Sequence, residues 1–264
     1  MAARAIWKAR IVMGDEELPV KLYSAVQDRA VHFRLLHEKD MQPVRQKMVN
    51  PDTGRVVEFE DVRRAFVTDA GDLVMLDEDE LAELEPAPSR DITVTRFVPP
   101  DAISHQWYDR PYFLGPDADD EAYFALVEAL RRQEREGVAR WVMRKKEYVG
   151  ALRVEGDHLM LMTLRHAGEV VSAASLPKPG GRALDRREVQ MATQLVKALE
   201  DDLDMSAYRD EYRERVAELV AAKAEGKVLK FPKAPKKDTD TSLAEMLEKS
   251  LGAARGGTKA RKRA

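Results

Sequence analysis

Apolar and polar residues alternate through most of the first 172 residues, which is the pattern of half-buried β-strands. Residues 4–23 open with such a run from Trp7, in which Lys8 and Arg10 face away from the apolar side chains. A Gly-Asp pair interrupts this run, and a second alternating run starts at Leu18. The pattern predicts a hairpin with one apolar face and one basic face.

Further alternating runs, separated by turn sequences rich in Pro, Gly and Asp, predict many short strands and hence a barrel or a sandwich. One helix interrupts them, because Asp119 or Asp120 can cap it and an apolar stripe begins at Tyr123. A shorter helix is predicted from Asp77 to Leu84, with acidic residues in its first turn. The further predicted strands lie around residues 31–37, 43–49, 55–59, 65–76, 91–98, 138–145, 149–155 and 158–165.

Helical periodicity replaces the strand pattern after a linker at residues 173–181 (AASLPKPGG). Two amphipathic helices are predicted, around residues 189–203 and 208–226. We therefore expect an α+β fold that is mainly β. Its parts are a β-rich body at 1–172, a helical arm at 173–226 and a tail at 227–264.

The tail differs from the rest of the chain in charge. It contains 11 Lys and Arg residues against 4 Asp and Glu, whereas residues 1–226 contain 33 basic and 43 acidic residues. An acidic body with a basic tail is typical of proteins that contact nucleic acid or another polyanion, although a solubilising tail has the same composition. Residues 227–240 are rich in Lys and Pro, which predicts disorder.

A short amphipathic helix is predicted within the tail at about residues 241–251. A helix of about 11 residues is not stable alone in water, so its apolar face requires a partner surface. That face consists of Leu243, Met246, Leu247 and Leu251.

Composition excludes several classes of protein. The chain contains no cysteine, which excludes disulfides and thiolate zinc sites. No apolar run approaches the roughly 20 residues that span a bilayer, and the N-terminus lacks the apolar core of a signal peptide. We expect a cytoplasmic protein that does not contact the membrane.

Sequence signatures of catalysis are missing. None of the five histidines has metal-binding spacing, and there is no phosphate-binding glycine loop and no GxSxG turn. The acidic run at residues 77–80 is explained by its place at a helix start. We therefore expect no metal, no cofactor and no enzymatic activity, with an unrecognised catalytic site as the remaining alternative.

Two basic runs in the β-rich body are candidates for binding phosphates. In PVRQKMV, Arg45 and Lys47 share a face, and in VARWVMRKK the alternation places Arg140, Arg144 and Lys146 on one face. A sheet with one apolar and one basic face can bury a core and still present cations to a phosphate backbone. An ordinary solvated strand face has the same pattern.

Several segments, in order, resemble the bacterial Ku proteins. An Ile-Trp-Lys strand is followed by a Pro-Val-Lys-Leu-Tyr strand, and LHEKDMQPVRQK at 36–47 resembles the segment that leads into the family's bridge across DNA. LVMLDEDEL at 73–81 resembles its junction of strand and acidic helix. RPYFL at 110–114, VARWVMRKKEYVGAL at 138–152 and REVQMATQLVKAL at 187–199 resemble the later blocks. The resemblance extends over about residues 4–226.

One turn in the bridge segment departs from the family pattern. Many members have a Cys-x-x-Cys pair in the bridge, and the matching positions here are Asn50 and Thr53, within a Pro-Asp-Thr-Gly turn. A metal cannot hold this turn, so we expect packing and turn chemistry to hold it instead.

The resemblance implies a β-barrel core with a DNA-encircling bridge at about residues 31–72. It also implies a homodimeric ring that threads onto double-stranded DNA ends without reading bases. The family recruits an ATP-dependent multidomain DNA ligase in non-homologous end joining, and we assign that docking to the face formed by Leu243, Met246, Leu247 and Leu251. The predicted contacts to the DNA backbone are Arg34, Lys39, Arg45, Lys47, Arg55, Arg63, Arg64, Arg140, Arg144 and Lys146.

A second hypothesis is a general nucleoid-binding protein that acts through its basic tail. It differs from the first in one expectation: removing residues 227–264 abolishes all DNA binding. Under either hypothesis the protein is expected at the nucleoid.

Overall fold

Residues 4–178, 180–181 and 185–227 are described by the computed structural model. In these residues the chain forms nine strands and four α-helices. The strands are β1 (Trp7–Met13), β2 (Glu16–Ser24), β3 (Arg64–Val67), β4 (Leu73–Leu76), β5 (Asp91–Val98), β6 (Tyr108–Pro116), β7 (Glu136–Met143), β8 (Lys146–Glu155) and β9 (His158–Leu164). The helices are α1 (Glu78–Glu83), α2 (Asp120–Gln133), α3 (Arg186–Ala198) and α4 (Glu211–Ala224).

Seven strands close into a barrel in the order β1-β2-β6-β9-β8-β7-β5. All neighbouring pairs are antiparallel except β1 and β5, which run parallel with Arg10 opposite Asp91. This last pair closes the barrel and so removes the exposed sheet edges. The predicted mainly β fold with a barrel core is confirmed.

Alternating side chains fill the barrel. Ile11, Val20, Leu22, Leu114 and Leu161 are fully buried, and each lies on the apolar face of its strand. Burying side chains of this size stabilises the fold by about 1.5–3 kcal/mol each. The hairpin predicted from residues 4–23 is thus confirmed as two walls of the barrel.

Helix α2 is attached to the barrel through Tyr123, which is fully buried. Its hydroxyl donates to the Leu114 carbonyl at 2.5 Å and accepts from the Leu159 amide at 2.8 Å, so one side chain bonds to both β6 and β9. The side chain of Asp119 accepts from the Ala122 amide, which confirms one of the two predicted caps.

A long segment, residues 25–90, connects β2 to β5; we call it the excursion. None of its residues is buried. It contains the β3–β4 hairpin and helix α1, which lies within the predicted range Asp77–Leu84 and has Asp77 as its N-cap. The strands predicted at 31–37, 43–49 and 55–59 are wrong: that part has only two isolated bridges, Leu36 with Pro43 and Val49 with Val56.

Helices α3 and α4 belong to a second unit, which begins at Leu176. Asp185 caps α3 by accepting from the Glu188 amide at 2.8 Å, and Asp210 caps α4 by accepting from the Arg213 amide at 3.0 Å. Helix α4 lies within the predicted range 208–226, whereas α3 begins three residues before the predicted range 189–203 and ends five residues before its end. The tail helix predicted at 241–251 lies outside the described residues.

Candidate nucleic-acid interface

Five predicted DNA contacts lie on the first half of the excursion. Each is exposed, and none forms an ion pair within the described part of the chain. Because no carboxylate neutralises these cations, their charge remains available to phosphate groups. They are Arg34, Lys39, Arg45, Lys47 and Arg55.

The cations of the first hairpin behave differently. Lys8 and Lys21 both contact Asp117, at 2.9 and 2.8 Å, and Arg10 contacts Glu17 at 2.7 Å and Asp91 at 2.5 Å. Hydrogen bonds from Lys21 and Lys8 lower the pKa of the Asp117 carboxyl group. The basic face predicted for the first hairpin is therefore present, but acidic partners neutralise it.

Local turns shape the basic half of the excursion. His37 Nδ1 and Asp40 Oδ1 are 2.7 Å apart in the turn that carries Lys39. The side chain of Asn50 accepts from the amides of Asp52 and Thr53, each at 3.0 Å. Asparagine thus holds this turn through its side chain, as expected from turn chemistry.

Arg63 and Arg64 have different surroundings. The Arg63 guanidinium donates to the Glu60 and Val62 carbonyls, at 2.6 and 3.1 Å. Residues 58–85 contain eleven Asp and Glu residues against these two arginines. The second half of the excursion is therefore an acidic surface, although both arginines are exposed.

The prediction that Arg140, Arg144 and Lys146 share one strand face is wrong. Strand β7 ends at Met143, and Arg144 lies in the turn before β8 with a φ of 53°. Lys146 is opposite Met143 and so lies on its face, whereas Arg140 lies on the other. The Lys146 ammonium is 5.6 Å from the Tyr148 ring centroid, close enough for a cation–π contact.

A bulge adds a cation that alternation misses. Counting by twos from the buried Ile92 assigns Arg96 to the barrel interior, but the register of β5 and β7 shifts between Val94 and Arg96. Arg96 is consequently opposite Val138, on the face of Arg140, and it is exposed. No regular period signals a bulge, so sequence reasoning does not find this residue.

Arg153 differs from Arg96 because it already has an acidic partner. Its Nε lies 3.4 Å from the buried Glu136 carboxylate. The Tyr108 hydroxyl donates to that carboxylate at 2.8 Å. Burial, together with this hydrogen bond, raises the pKa of Tyr108 to about 12. These three residues form a closed polar cluster on the barrel wall.

The described residues contain no group of three or more His, Cys, Asp or Glu that could hold a metal ion. No helix in that part of the chain is both long and apolar enough to cross a membrane. The predicted ligase-docking residues Leu243, Met246, Leu247 and Leu251 lie outside the described residues.

Comparison with known proteins identifies the fold. The family model of the Ku70/Ku80 β-barrel domain matches residues 13–199. The non-homologous end joining protein Ku of Mycolicibacterium smegmatis is 34% identical over 96% of this chain and 83% of its own length. The non-homologous end joining protein Ku 2 of Geotalea uraniireducens is 33% identical over 95% of this chain and 98% of its own length.

A solved structure of the SPOC domain of human PHD-finger protein 3 covers 61% of this chain and 97% of that domain, with a TM-score of 0.30 and 12% identity. A likeness this weak carries no argument. The family match and the relatives agree with the resemblance in the sequence and with the expectation of a protein that is not an enzyme. The chain belongs to the Ku family of non-homologous end joining proteins.

Proposed function

We propose that two copies of this chain form a ring around a double-stranded DNA end and act in non-homologous end joining. The observation that carries this proposal is the set of exposed, unpaired cations on an excursion without a single buried residue. The relatives, which are named as non-homologous end joining proteins, support the same process. Binding to broken chromosomes brings the protein to the nucleoid.

Exposed apolar side chains on the excursion also support the presence of a second copy of the chain in the ring. Phe33, Phe59 and Leu73 are 68%, 77% and 72% exposed, and the excursion has no core of its own to cover them. A large exposed apolar surface on a folded chain marks an interaction surface. A symmetric partner covers this surface and at the same time closes the ring.

Contacts to the backbone need only cations at phosphate spacing, so the proposed binding is independent of base sequence and falls steeply with salt. We assign the main contacts to Arg34, Lys39, Arg45, Lys47 and Arg55, with Arg96 and Arg144 on the barrel. The other DNA contacts predicted from the sequence stay predictions: Arg63, Arg64, Arg140 and Lys146.

A comparison of binding to linear and to covalently closed duplexes tests the proposed ring. The protein is expected to bind a linear duplex and to leave a covalently closed circle of the same sequence largely unbound, because only a free end can enter a closed aperture. A competition assay at two salt concentrations measures this difference. The affinity for the linear duplex is expected to fall as salt rises.

A chain truncated after Gly226 is the control for the tail. Retained end binding supports the ring, whereas loss of all binding supports the alternative in which the basic tail holds the DNA. Equal binding of wild-type protein to linear and circular DNA contradicts the ring. A protein that stays monomeric in excess linear DNA contradicts it as well.

An ATP-dependent multidomain DNA ligase is the proposed partner of the apolar face at Leu243, Met246, Leu247 and Leu251. Leu247→Asp is expected to weaken ligase binding about 30-fold, because a charge then replaces a central apolar contact. DNA binding is expected to be unchanged. Binding of the purified ligase measures the effect, with Lys249→Gln, which changes the charge equally outside the predicted apolar face, as the control. An unaffected Leu247→Asp variant contradicts the assignment.

A further inference from the structure

The turn between β7 and β8 differs from the other two-residue turns of the barrel. The β1–β2 and β8–β9 turns begin with Gly14 and Gly156, whose φ angles are 64° and 57°. The β7–β8 turn, closed by Met143 opposite Lys146, instead has Arg144 at 53° and Lys145 at 64°. Two long side chains therefore occupy left-handed backbone positions.

This arrangement costs stability. Two-residue hairpin turns with positive φ at both positions favour Asn-Gly, and other residues with a Cβ cost roughly 1 kcal/mol or more in this region. The β1–β2 and β8–β9 turns have glycine at the first position, so the barrel closes other hairpins without a side chain there. A long cationic side chain at Arg144 therefore needs an explanation other than backbone geometry.

The two side chains of this turn have different surroundings. Lys145 contacts Glu85 at 2.9 Å, which ties the turn to the end of the excursion. Arg144 is exposed and has no acidic partner within the described residues. Beside the turn is a cavity of about 540 Å³ whose lining includes Ser89, Arg90, Arg144 and Lys145. Arg90 is exposed and, in the same part of the chain, unpaired.

We propose that Arg144 and Arg90 bind one phosphodiester group of the duplex at this cavity, and that the strained turn is retained to hold Arg144 in place. The Lys145–Glu85 pair positions the turn. Guanidinium groups suit this ligand because their planar donors match phosphate oxygens. The inference rests on the proposed function, because it assigns one contact of the same DNA.

Two substitutions of Arg144 separate the effect of its charge from the effect of its positive φ angle. Arg144→Asn and Arg144→Gln both remove the cation, so each is expected to weaken binding of linear duplex about 60-fold at 0.1 M salt, because each of the two copies in the ring loses one phosphate contact that contributes about eightfold. Only Arg144→Asn is expected to raise the midpoint of thermal unfolding, since asparagine tolerates a positive φ. Arg90→Gln is expected to give the same loss of affinity without the gain in stability.

Fluorescence anisotropy with labelled duplexes and thermal unfolding of the full chain measure both effects. The loss is expected to be equal for duplexes with and without 5′-phosphates, because the proposed ligand is a diester. Unchanged affinity in Arg144→Gln overturns the phosphate site, as does a loss confined to phosphorylated ends. A midpoint that does not rise in Arg144→Asn overturns the account of the strain. If wild-type protein binds circles and linear duplexes equally, the proposed ring is wrong. In that case an approximately eightfold loss of affinity per bound copy in Arg144→Gln, on both DNAs, still supports this phosphate site.

Discussion

Reversing the charge of Arg45 and Lys47 together is expected to lower the affinity for linear duplex by about 4,000-fold or more at 0.1 M salt. Each phosphate contact contributes about 0.9 log unit between 1 M and 0.1 M salt, and the double variant loses two in each copy. The side chains are exposed and unpaired, so folding does not depend on them. The loss is expected to be the same for every base sequence. Titrations at several salt concentrations also show a flatter dependence, by about one unit of slope for each contact.

Two variants serve as controls for this experiment. Arg45→Gln with Lys47→Gln removes the charges without adding repulsion and is expected to give a smaller loss. Arg132→Glu with Arg135→Glu, on exposed positions at and just after the end of α2, changes the net charge equally. If this pair weakens binding as much as the pair on the excursion, the effect is one of net charge and the assignment to the excursion is wrong.

Replacing Gly150 with alanine is expected to destabilise the barrel by about 3 kcal/mol, at the upper end of the usual cost of overpacking. A Cβ at this position comes within 2.5 Å of the Met162 carbonyl oxygen and 2.6 Å of the Trp141 ring. Trp141 is buried and stacked on Tyr148, with ring centroids 5.5 Å apart. Neither neighbour can move without shifting β7 or β9.

Thermal unfolding measures this cost. For a chain of this size the midpoint is expected to fall by about 6–12 °C. Gly168→Ala is a matched control, because a Cβ there meets no heavy atom within 4 Å. A midpoint for Gly150→Ala that equals that of the control contradicts the packing described for β8.

The sequence predicted the barrel strands where two conditions held together. In β1, β2, β7, β8 and β9 an alternating pattern coincides with a neighbouring strand, so both the side chains and the backbone groups are satisfied. Residues 31–59 alternate in the same way, but the backbone finds only two isolated bridges there. Alternation describes the side chains and does not reveal whether a hydrogen-bonding neighbour is present.

The same limit of sequence alternation applies to the residues of the candidate site. The exposed cations on the excursion follow from composition and resemblance, because they depend on no particular register. Arg96 and Arg144 depend on a bulge and on a two-residue turn, which move a side chain from one face to another. Sequence alternation has no signal for either event, so it missed the first residue and assigned the second to the wrong surface.

The parallel pairing of β1 with β5 has a consequence for how this architecture diversifies. Because β2 and β5 flank the same strand, with Leu22 opposite Trp7 and Asp91 opposite Arg10, the two roots of residues 25–90 leave the barrel on either side of β1, roughly 20 Å apart. The entropic penalty for lengthening a loop between fixed roots rises only logarithmically. Insertions and deletions there are expected to leave the seven-stranded barrel intact, so the segment that we propose to contact DNA can change in length independently of the scaffold that carries it.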